Sequence, residues 1–252
     1  MVPGLDKFRE HFEVHKDSYA LIGGAACSLI FEDVGVDFRA TKDFDMVLCV
    51  EVVDASFAEA LKSFLDKGGY QARERAEGHR EFYRFHKPTD SSYPEMLELF
   101  STKANIFDLA DGDELAAVPV TDDVLSLSAI LLEPDYYEAL VASRREINGV
   151  YVLDETLLIP FKARAFVDLS ARREGGDTSI KGQDIKKHRN DVFRLMQLLT
   201  ADQVVEVAES LREDLRAYIE RVAALDAFKP EDFKVQIDRD EGIELLQTVY
   251  KL

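Results

Sequence analysis

The chain has 252 residues, 46% of them hydrophobic and 32% charged, with a formal net charge of -18. That length admits one large domain or two moderate ones, and the composition is that of a folded soluble protein without repeats or low-complexity tracts. The bulk acidity repels phosphate backbones at long range and argues against a general nucleic-acid binder.

The longest apolar runs are too short to span a bilayer, so no membrane association is expected. The N-terminal stretch MVPGLDKFREHFEVHKD is charged and lacks the apolar core of a signal peptide. Cys27 and Cys49 make neither a disulfide framework nor a metal-ligand spacing. A reducing cytoplasm is the expected setting. Charge is uneven along the chain: from Lys162 to Arg194 basic residues outnumber acids, and Arg73 to Lys87 is also basic.

A helix is expected over Leu5 to His15, then a short strand, Tyr19 to Ile22, closed by Gly23-Gly24. AACSLIFEDVG resumes a helical pattern and stops near Gly35. KDFDMVLCVEV alternates with period two. Asp43, Asp45, Val47 and Cys49 share one face; Phe44, Met46, Leu48 and Val50 share the other. Asp54 is placed to cap a helix from Ala55 to Lys67, ended by Gly68-Gly69. Tyr70 to Arg75 and Glu81 to His86 read as paired strands about a turn at Gly78. In YPEMLELFS, Leu97 and Leu99 face one side, and Met96, Glu98 and Phe100 the other.

Further on come a strand near Leu125 to Leu132, a helix over Asp135 to Ser143, and a hairpin turning at Asn148-Gly149. From Asp154 the pattern is helical. One segment runs through IPFKARAFVDLSARR, the next through DIKKHRNDVFRLMQLL, and a third through DQVVEVAESLREDLRAYIERVAAL. Pro230 breaks the pattern before a last helix, Glu241 to Tyr250. The boundary between a mixed first half and a helical second half falls near residue 150.

Two acids on one strand face repel each other and sit badly beside a core unless something positive compensates. A divalent cation does so. Mg²⁺ takes one or two carboxylates plus substrate phosphates. Alternate strand residues point the same way, so the Asp43-x-Asp45 pair suits one ion, or two about 3.5–4 Å apart. Glu98, with the same alternation, is placed to add a third carboxylate. The plainer reading of Asp-x-Asp is a pair of acids at an exposed strand end.

Gly23-Gly24 follows an apolar strand and opens a helix. Glycine lets phosphate approach the backbone, and a helix N-terminus presents N–H groups and a positive dipole end. A tight turn uses the same dipeptide. The combination is more specific than its parts: strand, Gly-Gly, helix, then Arg39-x-Thr41-x-Asp43-x-Asp45 on a strand, then an acid on a later strand.

In this ordered set the chain resembles the polymerase-β-like nucleotidyltransferase superfamily, and within it most of all the AbiEii/AbiGii toxin-type nucleotidyltransferases. The resemblance rests on YALIGGAACSLIFEDVGVDFRATKDFDMVL. The stretch between Gly24 and Asp43 is longer than in minimal members, and a loop around Asp33 to Phe38 would absorb the excess. Many relatives have Asp where this chain has Glu98.

The resemblance implies an α+β fold, with a nucleotidyltransferase-type mixed sheet flanked by helices and then a mainly helical C-terminal part. Residues 1–150 would be the catalytic domain and 151–252 the helical domain. Asp43, Asp45 and Glu98 would hold the metal, Mg²⁺ or Mn²⁺. Gly23, Gly24, Arg39 and Thr41 would contact a nucleoside triphosphate such as ATP.

Three residues of the helical half join this set by resemblance. Lys162 lies off the polar face formed by Arg164, Asp168 and Arg172. It either snorkels to water or reaches into a cleft and meets phosphate. Relatives carry a lysine in a comparable early position. Lys187 and Asp191 are four apart, the spacing of an intrahelical ion pair. The resemblance implies a site role for both, in nucleotide binding and catalysis respectively.

The expected activity is transfer of a nucleoside monophosphate from an NTP to an acceptor hydroxyl. Relatives suggest an RNA end, a protein or a small molecule as acceptor, and a role as the toxin partner of an antitoxin protein. The rival from another class is a non-catalytic module that binds nucleotide or a protein. A phosphohydrolase or nuclease using the same acids is disfavoured by the lack of a histidine-rich metal cluster.

Overall fold

The computed structural model describes residues 2–39, 41, 43–48, 54–72, 81–101 and 133–252. The fold is α+β. The chain divides into two compact units, Met1–Val120 with Leu140–Asp154, and Thr121–Ala139 with Glu155–Leu252. The expected strands at Leu125 to Leu132 and up to Arg75, the turn at Gly78, and Cys49 lie outside the described residues.

Among the described residues the first unit is built on a seven-stranded mixed sheet. Its strands are β1 (Tyr19–Ile22), β2 (Asp43–Leu48), β3 (Gln71–Ala72), β4 (Glu81–His86), β5 (Met96–Ser101), β6 (Arg144–Ile147) and β7 (Val150–Leu153), in the order β3-β4-β5-β2-β1-β7-β6. β2 is central, antiparallel to β1 and parallel to β5. The β6–β7 hairpin turns at Asn148 and Gly149, both at positive φ.

Period-two patterning decides which side of β2 is greasy. Phe44 and Met46 are fully buried and register with Leu97 and Leu99 of β5. Phe44 stacks on Phe8 of helix α1 (Leu5–Phe12), with ring centroids 5.3 Å apart. Phe8, Phe12, Phe57 and Phe64 continue this cluster; the last two come from helix α3 (Ala55–Gly68). α3 begins and ends as its sequence dictates. The Asp54 carboxylate accepts from the Phe57 N–H at 2.9 Å, and Gly69 closes the C-terminus at φ 61°. α1 is shorter than its pattern suggests. After Phe12 the backbone tightens to a 3₁₀ stretch, Glu13–Ser18, which returns Tyr19 to within 5.2 Å of Phe8.

The opposite face of β1 and β2 carries Ile22, Asp45 and Val47. Helix α2 (Gly23–Asp33) follows β1 without an intervening residue.

The second unit is helical. It contains α5 (Glu155–Glu174), α6 (Gly182–Met196), α7 (Glu209–Ala223) and α8 (Arg239–Tyr250); α4 (Pro134–Ser143) precedes them in the chain. α5 has Pro160 inside it, which removes the N–H that would bond the Thr156 carbonyl. The Tyr250 hydroxyl donates to that carbonyl at 2.6 Å instead. α8 starts in a capping box formed by Asp238 and Glu241.

One segment departs from its expected pattern. DQVVEVAES reads as the start of a long helix, yet α7 begins only at Glu209. The Val205 N–H donates to the Val249 carbonyl at 2.8 Å, and burial alternates from Gln203 to Ala208. Three β-branched valines prefer that extended path. Among the described residues no helix is long and apolar enough to cross a membrane.

Candidate active site at the Gly-Gly turn

The site begins with strand register. Asp45 of β2 is the Cα partner of Glu98 in parallel β5 and of Ile22 in antiparallel β1. Register partners point to the same side of a sheet, and neighbouring strands lie about 4.8 Å apart. Asp45 and Glu98 therefore stand side by side on the face opposite Phe44. Glu98 is 5% exposed, whereas Asp45 is partly open to solvent. Arg84 of β4 is the Cα partner of Glu98 on its other side. Asp43 occupies β2 two residues before Asp45, in register with Met96, and its side chain lies outside the described set.

Ile22 leads straight into Gly23, where the backbone turns at φ 67°. That conformation favours glycine. Space requires glycine as well: a β-carbon there would overlap Asp45 Oδ2 and lie 2.7 Å from its Cγ. A β-carbon on Gly24 would lie 2.6 Å from Thr41 Oγ1 and 3.6 Å from a guanidinium nitrogen of Arg39. Gly23 and Gly24 are thus packed against Asp45, Thr41 and Arg39, across the long connection that separates them in sequence. Both glycines are buried.

α2 starts at this point with no side-chain cap on its first turn. Its leading N–H groups and dipole favour an anion, and Arg39 adds positive charge beside Gly24. The arrangement joins two hard carboxylate oxygen donors to an anion-favouring helix start. Among the described residues no three His, Cys, Asp or Glu side chains cluster closely enough to hold a metal. Asp45 and Glu98 alone suit a cation that takes its remaining ligands from substrate and water.

The loop after α2 carries the extra length. Gly35 turns at φ 74°, and Phe38 packs on Phe31 with centroids 5.0 Å apart. Arg39 sits 5.3 Å over the Phe38 ring. A cavity of about 570 Å³ lies here, lined in part by Ser28, Glu32, Phe38, Arg39 and Thr41.

The remaining candidates belong to the second unit. Lys162, on α5, is 6% exposed, and its Nζ lies 3.8 Å from Asp191 Oδ2 on α6. Asp191 is fully buried, and its Oδ1 accepts from Arg194 at 3.0 Å. Asp191 thus joins Lys162 and Arg194, a correction to the local i,i+4 pairing with Lys187. Lys187 is exposed on α6. Sequence reading missed Arg194; its i,i+3 spacing from Asp191 was the available signal.

No protein-family model matches the chain. No curated protein matches it either. Among solved structures, the chain is similar to an antigenic nucleotidyltransferase-like protein from Paracoccidioides brasiliensis. The two share 16% identity over 94% of this chain and 97% of that one, with a TM-score of 0.43. At that score the likeness carries no weight for fold or function.

Proposed function

We propose that this chain is a metal-dependent nucleotidyltransferase of the polymerase-β-like type, similar to the AbiEii/AbiGii toxins. One observation carries the reading. Asp45 and Glu98 share a register position, and the Asp45 carboxylate lies directly against Gly23 at the start of α2. Two acids beside an anion-favouring helix start suit a ligand holding both a cation and phosphates.

In this reading Asp45 and Glu98, joined by Asp43, hold Mg²⁺ or Mn²⁺. The ion supplies charge neutralisation for the triphosphate and a lowered pKa for the acceptor hydroxyl. The N–H groups of Gly23 and Gly24 orient the phosphates, and Arg39 and Thr41, packed against Gly24, contact the same triphosphate. In the same reading Glu98 accepts the hydroxyl proton as the oxygen attacks the α-phosphorus and pyrophosphate leaves. Lys162, Lys187 and Asp191 enter only through the family resemblance. The acceptor is an RNA end, a protein or a small molecule, and the biological role is that of a toxin restrained by an antitoxin.

A second reading keeps the fold but not the chemistry: a module that binds nucleotide or a partner protein. The burial of Gly23, Gly24 and Glu98 favours it. A tight turn and a structural acid would look the same.

Incubation with each labelled nucleoside triphosphate, Mg²⁺ and a cell lysate tests the enzyme reading. Label should pass to an acceptor with the wild type and fail to pass with Asp45→Asn or Glu98→Gln. Equal Mg²⁺–NTP binding by wild type and by Asp43→Ala plus Asp45→Ala, without transfer, would favour the module.

A further inference from the structure

The second unit contains a cavity of about 610 Å³ that the reaction proposed above does not use. It lies between α6 and the connection from Ala224 to Phe233 that follows α7. Three cations line it: Lys186, Arg189 and Lys229. Two acids, Asp226 and Asp232, share the rim, and Asp226 interacts with Arg239 outside the cavity. One wall is aromatic. Phe228 and Phe233 stack with centroids 5.9 Å apart, and Phe193 meets Phe228 edge-on at 5.0 Å.

Arg189 is the central residue. Its guanidinium lies 4.0 Å over the Phe228 ring, and its Nε and Nη2 both donate to Asn190 Oδ1 at 3.1 and 3.0 Å. A guanidinium has five N–H donors, so one amide oxygen leaves a directional fork to offer. Burial pulls the Arg189 pKa down, and among the described residues the Tyr218 phenol, not a carboxylate, offsets it. The other partly buried arginines of this unit are paired with acids, among them Arg164 with Asp214, Arg172 with Asp177, and Arg194 with Asp191. The backbone beneath Arg189 is held in place, because the Tyr218 hydroxyl donates to its carbonyl at 3.0 Å.

We propose that this cavity binds a nucleotide unit, with the phosphate on Arg189, Lys186 and Lys229 and the base along the Phe228–Phe233 wall. A cationic fork beside aromatic rings is how proteins hold phosphate and base together without reading sequence. The volume lies within the range of small-ligand pockets and is larger than a bare phosphate needs. The unit is either a free nucleotide or one residue of a single-stranded RNA; the chemistry is shared. Nothing in this proposal depends on Asp45 or Glu98.

The test uses the full chain in EDTA, which removes the metal-dependent site from the measurement. Probes are AMP, adenosine, inorganic phosphate and a 5′-phosphorylated five-residue oligoadenylate, read by calorimetry. AMP should bind and inorganic phosphate should compete. Arg189→Gln should weaken AMP by about tenfold or more, and the exposed double variant Lys186→Ala plus Lys229→Ala by several-fold. Asp45→Asn should bind as wild type. Tighter oligoadenylate than AMP assigns the unit to an RNA strand; equal or weaker binding assigns it to a free nucleotide. Absence of AMP binding, adenosine binding as well as AMP, or full affinity in the folded Lys186→Ala plus Lys229→Ala variant overturns the proposal.

Discussion

Two buried acids in this protein sit in opposite surroundings. Asp191, in the helical unit, is fully buried between Lys162 and Arg194. Glu98, in the sheet unit, is 5% exposed, with an acid, Asp45, at its register position on β2 and Arg84 at that on β4. An acid enclosed by cations resembles a core ion pair, whose removal leaves charge uncompensated. An acid beside an acid stores repulsion that a cation would relieve. That contrast makes Asp191 the candidate for a structural acid and Glu98 the candidate for the proposed metal site.

That comparison breaks most sharply on activity. Asp45→Asn should lower nucleotidyl transfer by about 10³-fold, the scale of losing a metal-holding group in a polar transition state. Its melting temperature should hold or rise, because a like charge beside Glu98 is gone. Loss of stability with transfer intact would reverse the assignment. Asp191→Asn should do the opposite. Denaturant unfolding should show a loss of about 3–5 kcal/mol, because Lys162 and Arg194 keep their charges and lose their counterion. Lys162→Met combined with Asp191→Leu should recover much of that loss; failure to do so would mean the pair does more than balance charge.

Gly23→Ala should cost about 1–3 kcal/mol from its left-handed backbone, with an added cost from Asp45. In an Asp45→Ala background the overlap disappears and only the backbone strain remains. A double-mutant cycle measures the difference, and additive effects would deny the Gly23–Asp45 contact.

The smallest effect concerns an exposed pair. The Arg221 guanidinium, mainly through its hydrogen bond, holds the Glu174 carboxyl below the usual glutamate range. A depressed folded pKa gives stability that is present above the unfolded value of 4.5 and lost as pH falls through the folded one. Glu174→Gln should therefore melt slightly lower than wild type at neutral pH and match it in strong acid. A gap that persists in acid would assign the contact to packing.

Much of the sheet unit could be read directly. The alternation in DFDMVL and MLELFS sets Asp45 opposite Phe44 and Met46 and Glu98 opposite Leu97 and Leu99, and the described register agrees. Asp54 and Gly69 marked the ends of α3. These are local rules, set by neighbours within a few residues. Long-range pairings were not legible. A string shows only intrahelical partners, so the i,i+4 spacing offers Asp191 a pairing with Lys187, whereas its acid meets Lys162 of another helix. The pattern after Asp202 predicts helix, because no local rule reveals the Val249 carbonyl that the valine run's backbone bonds.

Local chemistry alone determined the polar and apolar faces of β2, where α3 is capped, and that two acids alternate along one strand. Those properties follow from backbone sterics and side-chain period, which act over one or two turns. Tertiary structure decided that β2 lies between β1 and β5, that the Asp45 carboxylate rests on Gly23, and that Asp191 belongs to Lys162 and Arg194. Strand order and helix packing depend on burial summed over the whole chain, so no short segment carries them.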